Sequence, residues 1–113
     1  MSKISHLEFG THDAQQSRLF FEQLFGWTFA AFKGGQQATI DIHGTSGGLH
    51  DGVSQPNIRV YFQVSDIHAA VRQVRQLGGL STEPAGEPGH GQFASCVDSQ
   101  GLPFGLHQPG GHR

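Results

Sequence analysis

Ser5-His-Leu-Glu-Phe-Gly-Thr-His-Asp-Ala14 opens a pattern that returns 53 residues later as Ile58-Arg-Val-Tyr-Phe-Gln-Val-Ser-Asp-Ile67. Between residues 5–26 and 58–79 five identical residues recur at this offset, pairing Phe9 with Phe62, Asp13 with Asp66, Gln23 with Gln76, Leu24 with Leu77 and Gly26 with Gly79. Only two copies are present, whereas stacked repeat arrays need at least three. The repeat therefore predicts two similar modules that share one domain.

Each copy predicts a strand followed by a helix. A short run of alternating residues leads to an aspartate, and about three turns of amphipathic pattern then end at glycine. In the first copy Asp13 is the expected N-cap, Phe20, Phe21, Leu24 and Phe25 are expected to gather on one side of the helix, and Gly26 is the expected C-cap. In the second copy Asp66 begins the helix and Gly78-Gly79 ends it.

Short apolar or alternating segments bounded by glycine-rich turns follow each helix, and they indicate strands. Each half is therefore predicted to be βαβββ, which gives an α+β fold. We expect a single domain over residues 1–113, made of a module at 1–53, a module at 54–108 and a short tail at 109–113. The predicted strands are Trp27–Phe32, Ala38–His43, Gly48–Asp51, Leu80–Thr82, Gln92–Val97 and Pro103–His107.

Composition excludes several classes of protein. Seventeen glycines and 14% charged residues suit a turn-rich sheet protein. A formal net charge of −2 gives no basic surface for nucleic acid. No apolar stretch approaches the length of a membrane span, and the single Cys96 excludes an internal disulfide. We expect a cytoplasmic protein that contacts neither nucleic acid nor membrane.

Four segments together resemble the glyoxalase / bleomycin-resistance / extradiol-dioxygenase family, also called the vicinal oxygen chelate superfamily. They are Asp13 with Phe20-Phe-Glu-Gln-Leu-Phe-Gly-Trp27, then Val60-Tyr-Phe-Gln-Val-Ser-Asp66, Leu77-Gly-Gly79 and Asp98-Ser-Gln-Gly-Leu-Pro-Phe-Gly-Leu106. The resemblance implies paired βαβββ modules that form a curled mixed sheet around a central cleft, and usually a homodimer. The superfamily contains lyases, epimerases, dioxygenases and proteins that only bind drugs, so the fold alone names no activity.

The alternation along the strands predicts which side chains face such a cleft. Because the apolar side chains of each strand are expected under the helices, the alternate residues should line the opposite face. We therefore expect a small anionic or aromatic ligand to bind at His6, Glu8, Arg59, Tyr61, Gln63 and His107. An ion pair between Arg59 and Glu8 is the structural alternative for those two residues.

Metal-dependent members of the family carry one ligand on the first strand and one on the last strand of each module. By this resemblance His6 and His50 take two of the four positions, while Arg59 and Gly105, which take the others, cannot coordinate a metal. The ligand set is incomplete, and we expect no cofactor. The alternative is a divalent ion, zinc, nickel, manganese or iron, held by His6 and His50.

We expect a glyoxalase- or bleomycin-resistance-like protein that binds a small molecule and has a degenerate metal site. The alternative is a metal-dependent lyase, isomerase or dioxygenase that acts on a substrate with vicinal oxygens. A metal-free enzyme would use His6 and Glu8 as an oriented base and Arg59 to stabilise an oxyanion. A regulatory domain that binds a protein partner is the remaining hypothesis.

Overall fold

The computed structural model describes residues 2–32, 37–87 and 89–110. Two helices and nine strands follow one another along these residues. The two helices begin 53 residues apart, at Ala14 and Ile67, and the first strands of the two modules also begin 53 residues apart, at Ile4 and Asn57. The elements are β1 Ile4–Gly10, α1 Ala14–Phe25, β2 Ala30–Phe32, β3 Gln37–Ile42, β4 Thr45–His50, β5 Asn57–Gln63, α2 Ile67–Gln76, β6 Leu80–Ser81, β7 Ala85–Glu87, β8 Gly91–Val97 and β9 Pro103–Gln108.

The chain forms two compact units. The N-terminal unit comprises residues 6–59, and the C-terminal unit comprises residues 1–5 and 60–113. The strand order is β2-β3-β4-β1 in the N-terminal unit and β5-β9-β8-β6 in the C-terminal unit, where β7 also pairs with β8. In both units the first and last strands of the module pair in parallel, while the other pairings are antiparallel. The prediction of an α+β fold with two βαβββ modules and mixed sheets is confirmed.

Both helices begin where the sequence predicted. The Asp13 carboxylate accepts hydrogen bonds from the backbone N–H groups of Gln15 and Gln16, at 3.1 and 3.2 Å, and Asp66 accepts one from Ala69 at 3.1 Å. These bonds satisfy N–H groups that have no partner within the first turn. Gly26 ends α1 with φ of 74°, a left-handed conformation that residues with a Cβ adopt at a cost.

Each unit has its own apolar core between its helix and its strands. The buried core residues are Phe9, Ala14, Phe29, Ala38, Ile40 and Leu49 in the N-terminal unit and Ile67, Val71, Ala94, Cys96 and Leu106 in the C-terminal unit. Since Leu7 and Phe9 pack on the helix side, His6 and Glu8 lie on the opposite face of β1.

The apolar stripe of α1 is only partly buried. Phe21 packs against the core, but Phe20, Leu24 and Phe25 are 61%, 57% and 55% exposed. The helix contacts its unit through Ala14 and Phe21, which are two turns apart, so residues on its flank remain in solvent. Neither helix in the described part of the chain has the length and apolar character needed to cross a membrane.

Candidate functional site

The candidate site begins with the parallel register of β1 and β4. Three pairs share the face away from the helix, and they are His6 with Ser46, Glu8 with Gly48 and Gly10 with His50. Since side chains alternate along a strand, these six residues form two adjacent rows. A long polar side chain in one row therefore faces a small residue in the other.

Glu8 joins two histidines in this array. Its Oε1 lies 2.8 Å from Nε2 of His6, and its Oε2 lies 2.5 Å from Nδ1 of His50. At the far side of His6, Nδ1 is 2.7 Å from the Ser46 hydroxyl. We call these four connected residues, Ser46, His6, Glu8 and His50, the His–Glu–His array. The ion pair considered between Glu8 and Arg59 is replaced in the structure by these two histidine contacts.

Gly48 makes the central contact possible. The Glu8 side chain lies directly over it, so a Cβ at position 48 would overlap Oε1 and come within 3.1 Å of Cδ. Any side chain at this position would push the carboxylate away from the two imidazoles. The absence of a side chain at position 48 is therefore part of the site.

The electrostatics of the array favour an ionised Glu8. Burial alone would raise the pKa of the Glu8 carboxyl, but the hydrogen bonds and charges of His6 and His50 outweigh burial, and the pKa is lowered. An ionised carboxylate only accepts hydrogen bonds. Nε2 of His6 and Nδ1 of His50 must therefore carry the protons that they share with Glu8.

This assignment leaves Nε2 of His50 as the ring nitrogen that does not contact Glu8. Its ring is 35% exposed, and an added Cβ at Gly10 would lie 3.2 Å from this nitrogen. Glycine at position 10 therefore leaves the edge of the ring uncovered. In the neutral imidazole, Nε2 is a hydrogen-bond acceptor, and in the protonated ring it is a donor.

The remaining predicted site residues lie on other strands. Arg59 is half-buried on β5. In the C-terminal unit Gln63 pairs with His107 and Tyr61 pairs with Gly105, so these four residues share one face of β5 and β9. Phe93 links two of them, since it stacks on the His107 ring at 4.3 Å and meets the Tyr61 ring edge-on at 5.3 Å.

Tyr61 also accounts for the glycine at position 105. A Cβ at Gly105 would overlap the Tyr61 ring and lie 2.6 Å from its Cγ. The family resemblance assigns the fourth metal-ligand position to Gly105, where a ligand would need a side chain such as a carboxylate. Here the aromatic ring fills the space that a carboxylate side chain would need.

A metal centre needs several suitable ligands close together. Within residues 2–32, 37–87 and 89–110, no three His, Cys, Asp or Glu side chains are placed to share one ion. Nε2 of His6 and Nδ1 of His50 both donate hydrogen bonds to Glu8. The two histidines therefore hold a carboxylate between them in this structure.

Sequence reasoning missed the participation of Ser46 and the role of Gly48. The available signal was the Gly47-Gly48 pair, which falls within a weak strand pattern and marks close approach of another chain segment. Turning that signal into a Glu8 contact requires the register of β1 and β4.

Comparisons with known proteins support the fold. The chain has the fold of the vicinal oxygen chelate superfamily, to which methylmalonyl-CoA epimerases belong. No protein-family model matches the sequence, and no curated protein matches it.

Solved structures that resemble the chain cover nearly all of it. A hypothetical protein from Bacillus halodurans superposes with a TM-score of 0.74 and 13% identity, over 99% of this chain and 97% of its own. Methylmalonyl-CoA epimerase from Mycobacterium tuberculosis gives 0.71 and 14%, over 96% and 88% of the two chains. A Streptomyces coelicolor methylmalonyl-CoA epimerase variant in complex with 2-nitronate-propionyl-CoA gives 0.71 and 15%, over 96% and 98%. At these identities the likeness establishes the fold and not an activity.

Proposed function

We propose that this protein binds a small acidic organic molecule, a carboxylic acid or a phenol, at the His–Glu–His array, without a metal. The observation that carries the proposal is the orientation of His50. Glu8 holds its Nδ1–H, while Nε2 lies beside Gly10, which has no side chain to cover it, and the His50 side chain is 35% exposed. The protein would then be a binding protein of the glyoxalase and bleomycin-resistance type.

The chemistry of an imidazole oriented by a carboxylate selects this ligand class. A neutral acid would donate its proton toward Nε2, and an anion would bind the protonated ring, so both routes give the same complex. Glu8 stabilises the imidazolium in either case, because its negative charge lies 2.5 Å from Nδ1. Neutral ligands without an acidic hydrogen would gain much less from the array.

A further contact is proposed from Arg59, which belongs to the same unit, because a guanidinium suits a carboxylate. Tyr61, Gln63 and His107 are proposed as ligand-binding residues on their own face of the C-terminal unit. One structurally similar protein supports the ligand class, because it is a methylmalonyl-CoA epimerase bound to methylmalonyl-CoA, a compound with a free carboxylate.

The test is titration of chelator-treated protein with malonate, methylmalonate, benzoate and catechol, followed by calorimetry and by histidine NMR signals. We expect one of these acids to bind and to shift the His50 ring signals, and His50→Gln to weaken binding at least about tenfold. The matched control is His68→Gln, because His68 is exposed on α2. If His50→Gln binds the acid as tightly as the wild-type protein does, the His–Glu–His array is not the binding site.

A metal-dependent lyase, isomerase or dioxygenase remains the competing function. His6, Glu8 and His50 are residue types that bind zinc and iron, and they are neighbours on one face. The same protein titrated with zinc, nickel, manganese and ferrous ions distinguishes the two functions. Uptake of one ion per chain that is lost in His6→Ala would favour the enzyme.

We also propose a cytoplasmic homodimer. The exposed Phe20, Leu24 and Phe25 on α1 form an apolar surface of the kind that a second chain covers. Light scattering of the purified protein tests the dimer, and a monomeric mass at micromolar concentration would contradict it.

A further inference from the structure

Ser5 and His107 form a hydrogen-bonded pair within the C-terminal unit. The Ser5 hydroxyl lies 2.5 Å from Nδ1 of His107, although 102 positions separate the two residues. On the opposite side of the ring, Nε2 of His107 lies 3.0 Å from the backbone carbonyl oxygen of His90. The ring is thus bonded at both nitrogens, once to a hydroxyl and once to a carbonyl.

These two partners fix the direction of both hydrogen bonds. A carbonyl oxygen only accepts, so Nε2 of His107 carries a proton and donates it to His90. In the neutral imidazole Nδ1 then carries the lone pair, so the Ser5 hydroxyl must donate its hydrogen bond to Nδ1. Ser5 is therefore a hydroxyl whose proton already points at a base.

The orientation of the base is held from several directions. Phe93 stacks on the His107 ring with centroids 4.3 Å apart and planes inclined by 14°, and Tyr61 supports Phe93 edge-on. The His90 carbonyl would also stabilise a protonated ring, because Nε2–H donates more strongly from an imidazolium. A nucleophile bonded to a base, with a third group orienting that base, is the arrangement of activated serines.

We propose that Ser5 is a nucleophile activated by His107 and that it accepts acyl groups from activated esters. Ser5 Oγ forms a bond to the acyl carbon while its proton moves to Nδ1 of His107. The bond to the leaving alcohol then breaks, and the imidazolium returns the proton to that alcohol. Water attacks the acyl-serine by the same proton route, which releases a carboxylic acid and restores Ser5.

This activity goes beyond the proposed ligand binding, and it needs neither Glu8 nor His50. Its test can therefore fail while the binding proposal stands, or succeed while that proposal fails. The residue that reacts is identified directly by mass spectrometry, which separates Ser5 from every other serine.

The experiment uses p-nitrophenyl acetate and phenylmethanesulfonyl fluoride on the full chain, with peptide mapping of the modified residue. We expect Ser5 to carry the acetyl or sulfonyl group, no label at this site in Ser5→Ala, and labelling at least about 100-fold slower in His107→Gln. The matched control is Ser17→Ala. Ser17 Oγ lies 2.7 Å from the Thr11 hydroxyl, and a hydroxyl is not a base. Replacing Ser17 should therefore leave the rate of Ser5 labelling unchanged.

The wild-type chain alone can overturn the proposal. It would do so if Ser5 stays unlabelled at reagent concentrations that modify known serine hydrolases. Equal labelling of Ser5 in folded His107→Gln would overturn the role of His107. Circular dichroism of each variant shows whether it is folded. If Ser5→Ala does not fold, Ser5→Thr replaces it as the test variant, because threonine keeps the hydroxyl.

Discussion

Replacing Glu8 by glutamine tests whether the carboxylate holds the N-terminal unit together as well as orienting His50. In the native chain Glu8 accepts hydrogen bonds from His6 at 2.8 Å and from His50 at 2.5 Å. Glutamine has one acceptor oxygen and one donor NH₂ group, so it can accept from only one of the two imidazoles. The other imidazole N–H would face a second donor.

The expected loss of stability follows from the one hydrogen bond to an imidazole that glutamine cannot accept. A hydrogen bond to a charged group contributes about 1.5–3 kcal/mol, and relief of the burial penalty on a carboxylate that is 26% exposed offsets part of it. We expect Glu8→Gln to lower the free energy of unfolding by about 2 kcal/mol. In a domain of this size that corresponds to roughly 8 °C in Tm, or about 1 M in the urea midpoint.

The assay is urea unfolding at about pH 7, followed by circular dichroism. The matched control is Glu83→Gln, because Glu83 pairs with Arg75 at 2.9 Å but its side chain is 80% exposed. An exposed pair contributes little, so the control should change stability by less than about 0.5 kcal/mol. Equal midpoints for Glu8→Gln and the wild type would refute the reasoning.

The pH dependence provides an independent check of the same residue. Because the pKa of Glu8 is lowered in the folded protein, its contribution is present above the ordinary glutamate pKa and is lost as pH falls through the lowered value. The stability difference between wild type and Glu8→Gln should therefore shrink on acidification toward about pH 3. A difference that stays constant or grows in acid would mean that the carboxylate charge is not the source.

Three further substitutions test other parts of the structure. Gly48→Ala should displace the Glu8 carboxylate, change the NMR signals of His50 and cost about 1–2 kcal/mol, and unchanged signals would contradict the close contact. Asp13→Ala should cost about 1 kcal/mol in thermal unfolding through loss of the α1 N-cap. Ile67→Ala, at a fully buried position, should cost about 2–5 kcal/mol, and a loss below 1 kcal/mol would show that the C-terminal core is looser than described.

The sequence predicted the elements that depend on local chemistry. Asp13 and Asp66 mark helix starts because their side chains satisfy nearby N–H groups, and Gly26 marks a helix end because it adopts a positive φ. Boundaries that depend on pairing were less accurate. Trp27 was predicted to begin a strand, whereas β2 begins at Ala30, and the β7 strand, Ala85–Glu87, was not predicted.

The site was predicted only in part. Alternation along β1 identified His6 and Glu8 as neighbours on one face, because side-chain period along a strand is a local property. The contact between Glu8 and His50 joins residues 42 positions apart, and it follows from the parallel register with β4. No local pattern specifies that register, so His50 was considered only as a metal ligand.

The glycine beneath Glu8 has a consequence for recognising this site in other chains. Three polar residues, two on one strand and one on its parallel neighbour, are a weak pattern and will recur by chance. A chain that carries them together with a residue larger than glycine at the position of Gly48 cannot place the carboxylate between the imidazoles. Aligned sequences should therefore show positions 8 and 48 changing together, with a shorter side chain at 8 wherever 48 gains a Cβ.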